Sequence, residues 1–203
     1  MITRIIDYMD ELFPNPHCEL NYTKDYELLI AVMLSAQTTD KRVNMVTNIL
    51  FKKYQNLEEL MNADIKDIIE IIKPIGTFNK KANNIKLIAT HLVNECNKIV
   101  PNDRNYLESL PGVGRKTTNV VLANLYNEPL IAVDTHVKRV SIRLKLAKES
   151  DNLQTIEKKL TQKFPKDKLA RLHHQLVLFG RYHCKAINPD CTNCKLKNIC
   201  RRK

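Results

Sequence analysis

Glycine is scarce in this chain. Only four occur in 203 residues, and two of them, Gly112 and Gly114, fall in the single stretch Leu110-Pro-Gly-Val-Gly-Arg-Lys-Thr117. One residue separates that pair and no strand pattern leads into it, which excludes a Walker loop. No run of about 18 apolar residues exists, so no helix is expected to cross a bilayer. Acidic residues interrupt the apolar positions between Met1 and Asp10, so a signal-peptide layout is missing and an intracellular, cytoplasmic chain is expected. In that compartment thiols stay reduced, and cysteines read as metal ligands or core residues rather than disulfides. There is no internal repeat and no low-complexity linker. Negative charge is also short: 22 acids face 33 bases, for a net charge of +11. That balance predicts a polyanionic partner, although charge alone does not separate DNA from RNA or an anionic membrane surface.

What is present is helical periodicity. Ile2, Ile5, Ile6, Met9, Leu12 and Phe13 share one helical face, stopped by Pro14-Asn15-Pro16. Cys18 follows alone and reads as a buried small residue. A core helix is predicted over about 25–36, then a polar break Gln37-Thr38-Thr39, then a helix from Asp40 with Val43, Val46, Ile49 and Leu50 inward. Gln37 either caps the first of these or projects toward a ligand. Short helices are expected near 57–61 and 65–72, and a longer one over 80–96 with Ala82, Ile85, Ile88, Ala89 and Leu92 on one side. The run 130–133 is the only strand-like one, and a lone strand cannot form a sheet. Helical patterns near 153–164 and 168–179 complete the chain, the last with Leu169, Leu172, Leu176 and Phe179 inward. The expected class is all-α, with about ten helices and short loops.

The stretch around Gly112 then reads as a hairpin between two helices. Leu110 and Val113 would point inward and pin the turn, while the glycines allow a tight turn and close approach of another backbone. The helix that follows offers unpaired N–H groups and a positive dipole end, a setting that suits phosphate. This is a helix–hairpin–helix pattern, which holds nucleic-acid backbone without reading bases. Lys116 lies in the first turn of that helix. The dipole, and partial burial if present, would favour its neutral amine, a nucleophile able to form a Schiff base. A phosphate-binding lysine is the simpler alternative.

Cys184, Cys191, Cys194 and Cys200 form C-x6-C-x2-C-x5-C near the end of the chain. Four thiolates so close in sequence can surround one metal centre, and the spacing alone is open between zinc and a [4Fe–4S] cluster. Lys195, Lys197, Arg201, Arg202 and Lys203 accompany them, as a basic surface or as a solvated tail.

The hairpin 110–117, the Val133-Asp-Thr-His136 segment that places an aspartate 18 residues beyond Lys116, and the cysteine quartet together resemble the endonuclease III family. Its members are bifunctional DNA glycosylase/AP lyases of the helix–hairpin–helix superfamily. The resemblance runs along almost the whole chain and includes Leu34-Ser-Ala-Gln37. It implies a two-lobed all-α glycosylase fold: residues 20–130 form a six-helix barrel containing the hairpin, and 1–19 plus 131–203 form the lobe with the iron–sulfur loop. It implies that Lys116 and Asp134 are catalytic and that Glu108 and His136 are pocket residues. Asp134 is equally an N-cap for the helix it precedes. Gln37, Thr77 and Phe78, with Leu110, Gly112, Val113, Gly114 and Arg115 of the hairpin, are implied to meet DNA. The quartet is implied to hold [4Fe–4S]. The expected partner is double-stranded DNA carrying a damaged base or an abasic site, bound by a monomer at the nucleoid.

Two departures from the family stand out. Thr77 and Phe78 occupy the place of an apolar wedge, and threonine is a poor wedge. The loop 185–190 carries one lysine and one aspartate, few charges for a loop that grips phosphate. The rival readings are a monofunctional adenine mismatch glycosylase and a non-catalytic DNA-binding module. The first lacks a lysine at the Lys116 position and carries a further C-terminal domain, whereas this sequence ends three residues after Cys200.

Overall fold

Asp25 starts a helix in which every residue from Tyr26 to Leu34 is buried. Its one buried charge, Glu27, accepts from Thr23 at 2.7 Å, and the rest of the buried stretch is apolar enough to sit inside a core, with other helices of its unit packed on it. The computed structural model describes residues 1–201. Among these there is no strand, and the chain is all-α. It forms two compact units, Glu19–Tyr126 and Met1–Cys18 with Asn127–Lys203.

The first unit contains α2 (Asp25–Leu34), α3 (Asp40–Lys53), α4 (Leu57–Asn62), α5 (Ile65–Ile72), α6 (Phe78–Glu95), α7 (Arg104–Ser109) and α8 (Arg115–Tyr126). The central α2 packs on α3, α6 and α8, while α4 and α5 pack on α6. Ala82, Ile85, Ile88, Ala89 and Leu92 are fully buried along α6, as the periodicity predicts. On α3 the expectation fails at one position. Ile49 is 52% exposed, and Thr47 takes the inward place with its hydroxyl donating to the Val43 carbonyl at 3.0 Å. Positions 43, 47 and 50 make the inward stripe at helical spacing, and Ile49 falls off it. Side-chain caps start the short helices: Asn56 accepts from the Glu59 N–H at 2.8 Å, Asp64 from Lys66 at 2.9 Å and Asp103 from Tyr106 at 3.1 Å. Each cap contributes about 1 kcal/mol.

The second unit contains α1 (Ile2–Leu12), α9 (Thr135–Arg143), α10 (Leu153–Lys163) and α11 (Leu169–Leu178). Ile5, Ile6 and Met9 of α1 join Val137, Val140, Ile156, Leu160, Leu169, Leu172, Leu176 and Phe179 in one core. Asp10 ties α1 to α11, accepting from Gln175 at 2.8 Å and Arg171 at 2.9 Å. The strand-like run 130–133 is irregular backbone with Ile131, Ala132 and Val133 buried, so its apolar residues fill the core without pairing. Cys18 is half-buried rather than buried. No helix among the described residues is long and apolar enough to cross a membrane.

Candidate functional site

The hairpin joins α7 to α8. Leu110 and Val113 are buried, and the Val113 N–H closes the turn on the Leu110 carbonyl at 3.1 Å. Their side chains face the core, so what they present outward is backbone. Gly112 has φ +78°, a left-handed conformation, and the Asn84 side-chain amide fills the space a Cβ would need. Only glycine satisfies both conditions. Gly114 differs, because a Cβ there would meet nothing in the protein. Its smallness serves no internal packing and leaves the start of α8 open.

Arg115 and Lys116 are exposed on the first turn of α8. The glycine turn ahead of Lys116 provides no bulk to cover it. From the next turn, Thr118 to Ala123 are all buried. Glu108, at the end of α7, is exposed and bound to Arg104 at 2.9 Å. The same guanidinium donates to the side-chain oxygen of buried Asn119 at 2.9 Å, so Arg104 links the Glu108 carboxylate to α8.

Two other exposed turns in this unit carry candidate residues. Gln37 lies between α2 and α3 with φ +57°, and Thr77 precedes α6 with φ +56°. A β-branched residue in that region is an outlier, and its hydroxyl donates to the Gly76 carbonyl at 2.7 Å. Phe78, the first residue of α6, is half-buried, so its ring is neither a free wedge nor sealed in the core.

In the other unit Asp134 caps α9, its Oδ1 accepting from the Val137 N–H at 2.8 Å. Two residues on, His136 Nδ1 lies 3.3 Å from Arg139 Nη2, and burial holds the imidazole below the usual histidine range against the pull of Asp134. The chain after α11 passes through a π-helical turn, Phe179–His183, in which Gly180 lies where a Cβ would strike His136. Single π turns mark functional segments, and this one delivers Cys184.

Cys184, Cys191, Cys194 and Cys200 line one cavity, with Phe179, Leu144, Arg143 and Lys197 in its wall. Arg143 Nη1 donates to Cys184 Sγ at 3.2 Å and to the Lys185 carbonyl at 2.7 Å. Arg139 Nε donates to the Cys184 carbonyl at 3.2 Å. Burial raises the Cys194 thiol above its ordinary value, and the neighbouring Cys184, Cys200 and Cys191 add to the rise. Among the described residues no three His, Cys, Asp or Glu side chains are set to hold a single metal ion. Lys197 lines the cavity and Lys195 pairs with Glu11 at 2.5 Å, whereas Arg202 and Lys203 lie outside the described residues. Sequence reasoning missed Arg104, Arg139 and Arg143, whose bonds to Asn119 and Cys184 span 15, 45 and 41 positions. The available hints were Arg104 four positions before Glu108 and the pair Arg139 and Arg143 four apart on α9.

Residues 30–166 match the HhH-GPD superfamily of base excision DNA repair proteins. Endonuclease III of Bacillus subtilis (strain 168) is 44% identical over 196 residues, covering 97% of this chain and 90% of that protein. A solved structure of a trapped covalent intermediate between endonuclease III and DNA has a TM-score of 0.93 at 44% identity, covering 99% of this chain and 96% of that one. A non-covalent endonuclease III–DNA complex has a TM-score of 0.94 at 44% identity, covering 98% and 94% respectively. This similarity extends over both units, and the chain belongs to the endonuclease III family, whose members are DNA glycosylases of base excision repair within the HhH-GPD superfamily.

Proposed function

We propose that the chain excises oxidised pyrimidines from double-stranded DNA and then cleaves the strand at the resulting abasic site, through a Schiff base on Lys116. The observation that carries this reading is the exposed Lys116 on the first turn of α8, directly after a hairpin left open at Gly114. The open turn gives a phosphate access to the positive end of α8. A relative 44% identical to this chain forms a covalent intermediate with DNA, which supports a nucleophile of this kind.

The damaged base first leaves the stack. Gln37 and the Thr77–Phe78 turn occupy the space it vacates. The neutral Lys116 amine attacks the sugar C1′, the bond from C1′ to the base breaks, and its electron pair leaves with the base. Asp134 takes the amine proton or opposes the positive charge that develops on the sugar. Ring opening gives the Schiff base. Loss of a C2′ proton then sends electrons toward the imine and expels the 3′ phosphate, and water hydrolyses the imine to restore Lys116. Glu108, fixed by Arg104, and His136 serve as polar pocket residues.

The donor set fits a [4Fe–4S] cluster: four cysteines on one cavity, with a guanidinium directed at one sulfur. Cys184, Cys191, Cys194 and Cys200 would hold it. When bound, it supplies a rigid cross-link that fixes the C-terminal segment. Purified protein should then be yellow-brown, with broad absorption near about 400 nm and about four irons per chain. A colourless protein with stoichiometric zinc would overturn this assignment.

The activity is tested with duplex DNA carrying one thymine glycol or one abasic site, with and without borohydride. Both substrates should be cleaved, and both should be trapped on the protein. Base release without cleavage or trapping would indicate a monofunctional glycosylase. Binding with neither outcome would indicate a non-catalytic module.

A further inference from the structure

Lys81, on the first turn of α6, is 4% exposed, an uncommon position for an ammonium. Its Nζ donates to the Ala36 carbonyl at 2.9 Å, and its own N–H donates to the Thr77 carbonyl at 3.0 Å. Ala36 immediately precedes Gln37, and Thr77 immediately precedes Phe78. The second bond is the ordinary i→i−4 bond at the start of α6, so it is the side chain, through Ala36, that ties the Gln37 turn to the helix start beside Thr77. Both turns need such support. Gln37 and Thr77 are left-handed without being glycine, and backbone of that kind persists only where its surroundings hold it. One turn along α6, Asn84 fills the space beside Gly112, so the same helix also underlies the hairpin. Burial lowers the Lys81 amine from its ordinary range, which shows that the placement is disfavoured by itself and maintained by the fold.

We propose that Lys81 is a positioning residue that locks the Gln37 turn to the Thr77–Phe78 turn, so that the two enter the duplex as one rigid unit when a base is extruded. This rests on the reading of those turns given under Proposed function. The ammonium suits the task because it holds the carbonyl by a charge-assisted hydrogen bond, stronger than a neutral donor would make.

Lys81→Met keeps an unbranched apolar stem and removes the donor. In single-turnover assays, release of a paired thymine glycol should slow about tenfold or more, while cleavage at an abasic site, where no base is extruded, should change by less than about twofold. If Lys81 acts through the Gln37 turn, Lys81→Met should have a much smaller effect in a Gln37→Ala background. Equal slowing on both substrates, an unchanged rate on thymine glycol, or independent multiplication of the two substitutions would each overturn the proposal. Should Lys81→Met fail to fold, Lys81→Gln, which keeps a neutral donor on a shorter stem, carries the same comparison with a smaller expected loss. A wild-type protein that cleaves neither substrate would instead sink the functional reading on which this one rests.

Discussion

Lys116→Gln is expected to bind abasic-site DNA about as tightly as the wild type, to lose all borohydride trapping, and to lose strand cleavage by at least about a thousandfold. The exposed side chain makes its replacement nearly neutral for folding, because surface changes away from special features move stability by about 0.5 kcal/mol or less. A loss of activity would therefore be chemical rather than structural. Glutamine keeps a polar side chain, on a shorter stem, but its amide nitrogen has its lone pair delocalised into the carbonyl and cannot form an imine. Lys116→Arg sharpens the test, since it keeps the positive charge and can hold phosphate in two-point fashion. If Lys116 only grips phosphate, the arginine variant remains active. If Lys116 is the nucleophile, arginine is as inactive as glutamine. A borohydride-stable adduct formed by Lys116→Gln at the wild-type rate would move the nucleophile to another amine, the exposed Met1 terminus first.

The features legible in the sequence are those determined by neighbours along the chain. Helical stripes such as Ala82, Ile85, Ile88, Ala89 and Leu92 follow from a 3.6-residue period, and each is fully buried. Leu110 and Val113 could be assigned inward because a tight turn leaves them no other side. The cysteine quartet needed only spacing. What periodicity could not resolve was competition between neighbouring candidates for one inward position, as where Thr47 displaces Ile49. Contacts between distant residues were also invisible. Lys81 and Ala36 are 45 residues apart, Arg143 and Cys184 41 apart, and nothing in either local pattern points to the other. A lysine in a basic chain reads as a solvated charge until its burial is known. Whether Lys116 is covered was equally out of reach of the local pattern, because it depends on the open glycine turn before it, which leaves it exposed.

Asp134→Asn should separate two roles that the sequence superimposes on one residue. The carboxylate caps α9 through Oδ1, which accepts from the Val137 N–H at 2.8 Å. Asparagine presents an oxygen of the same geometry and caps helices about as well as aspartate, so that hydrogen bond survives. Only the negative charge at the helix start is lost, about 0.3–1 kcal/mol, and the melting temperature should fall by a few degrees at most. The amide cannot accept a proton from an amine or oppose a cationic sugar. Turnover on thymine glycol DNA should therefore drop by about 10²–10⁴-fold, the usual contribution of a positioned acid or base. Asp134→Ala removes charge and cap together. It should show the same chemical loss with about 1 kcal/mol less stability than the asparagine variant. A cap-only residue gives a different pattern, in which Asp134→Asn cleaves at the wild-type rate and Asp134→Ala loses activity only as far as it loses folded protein. Melting curves and single-turnover rates on the two variants decide between these outcomes, because the cap depends on an oxygen that both aspartate and asparagine carry, and the chemistry depends on a charge that only aspartate has.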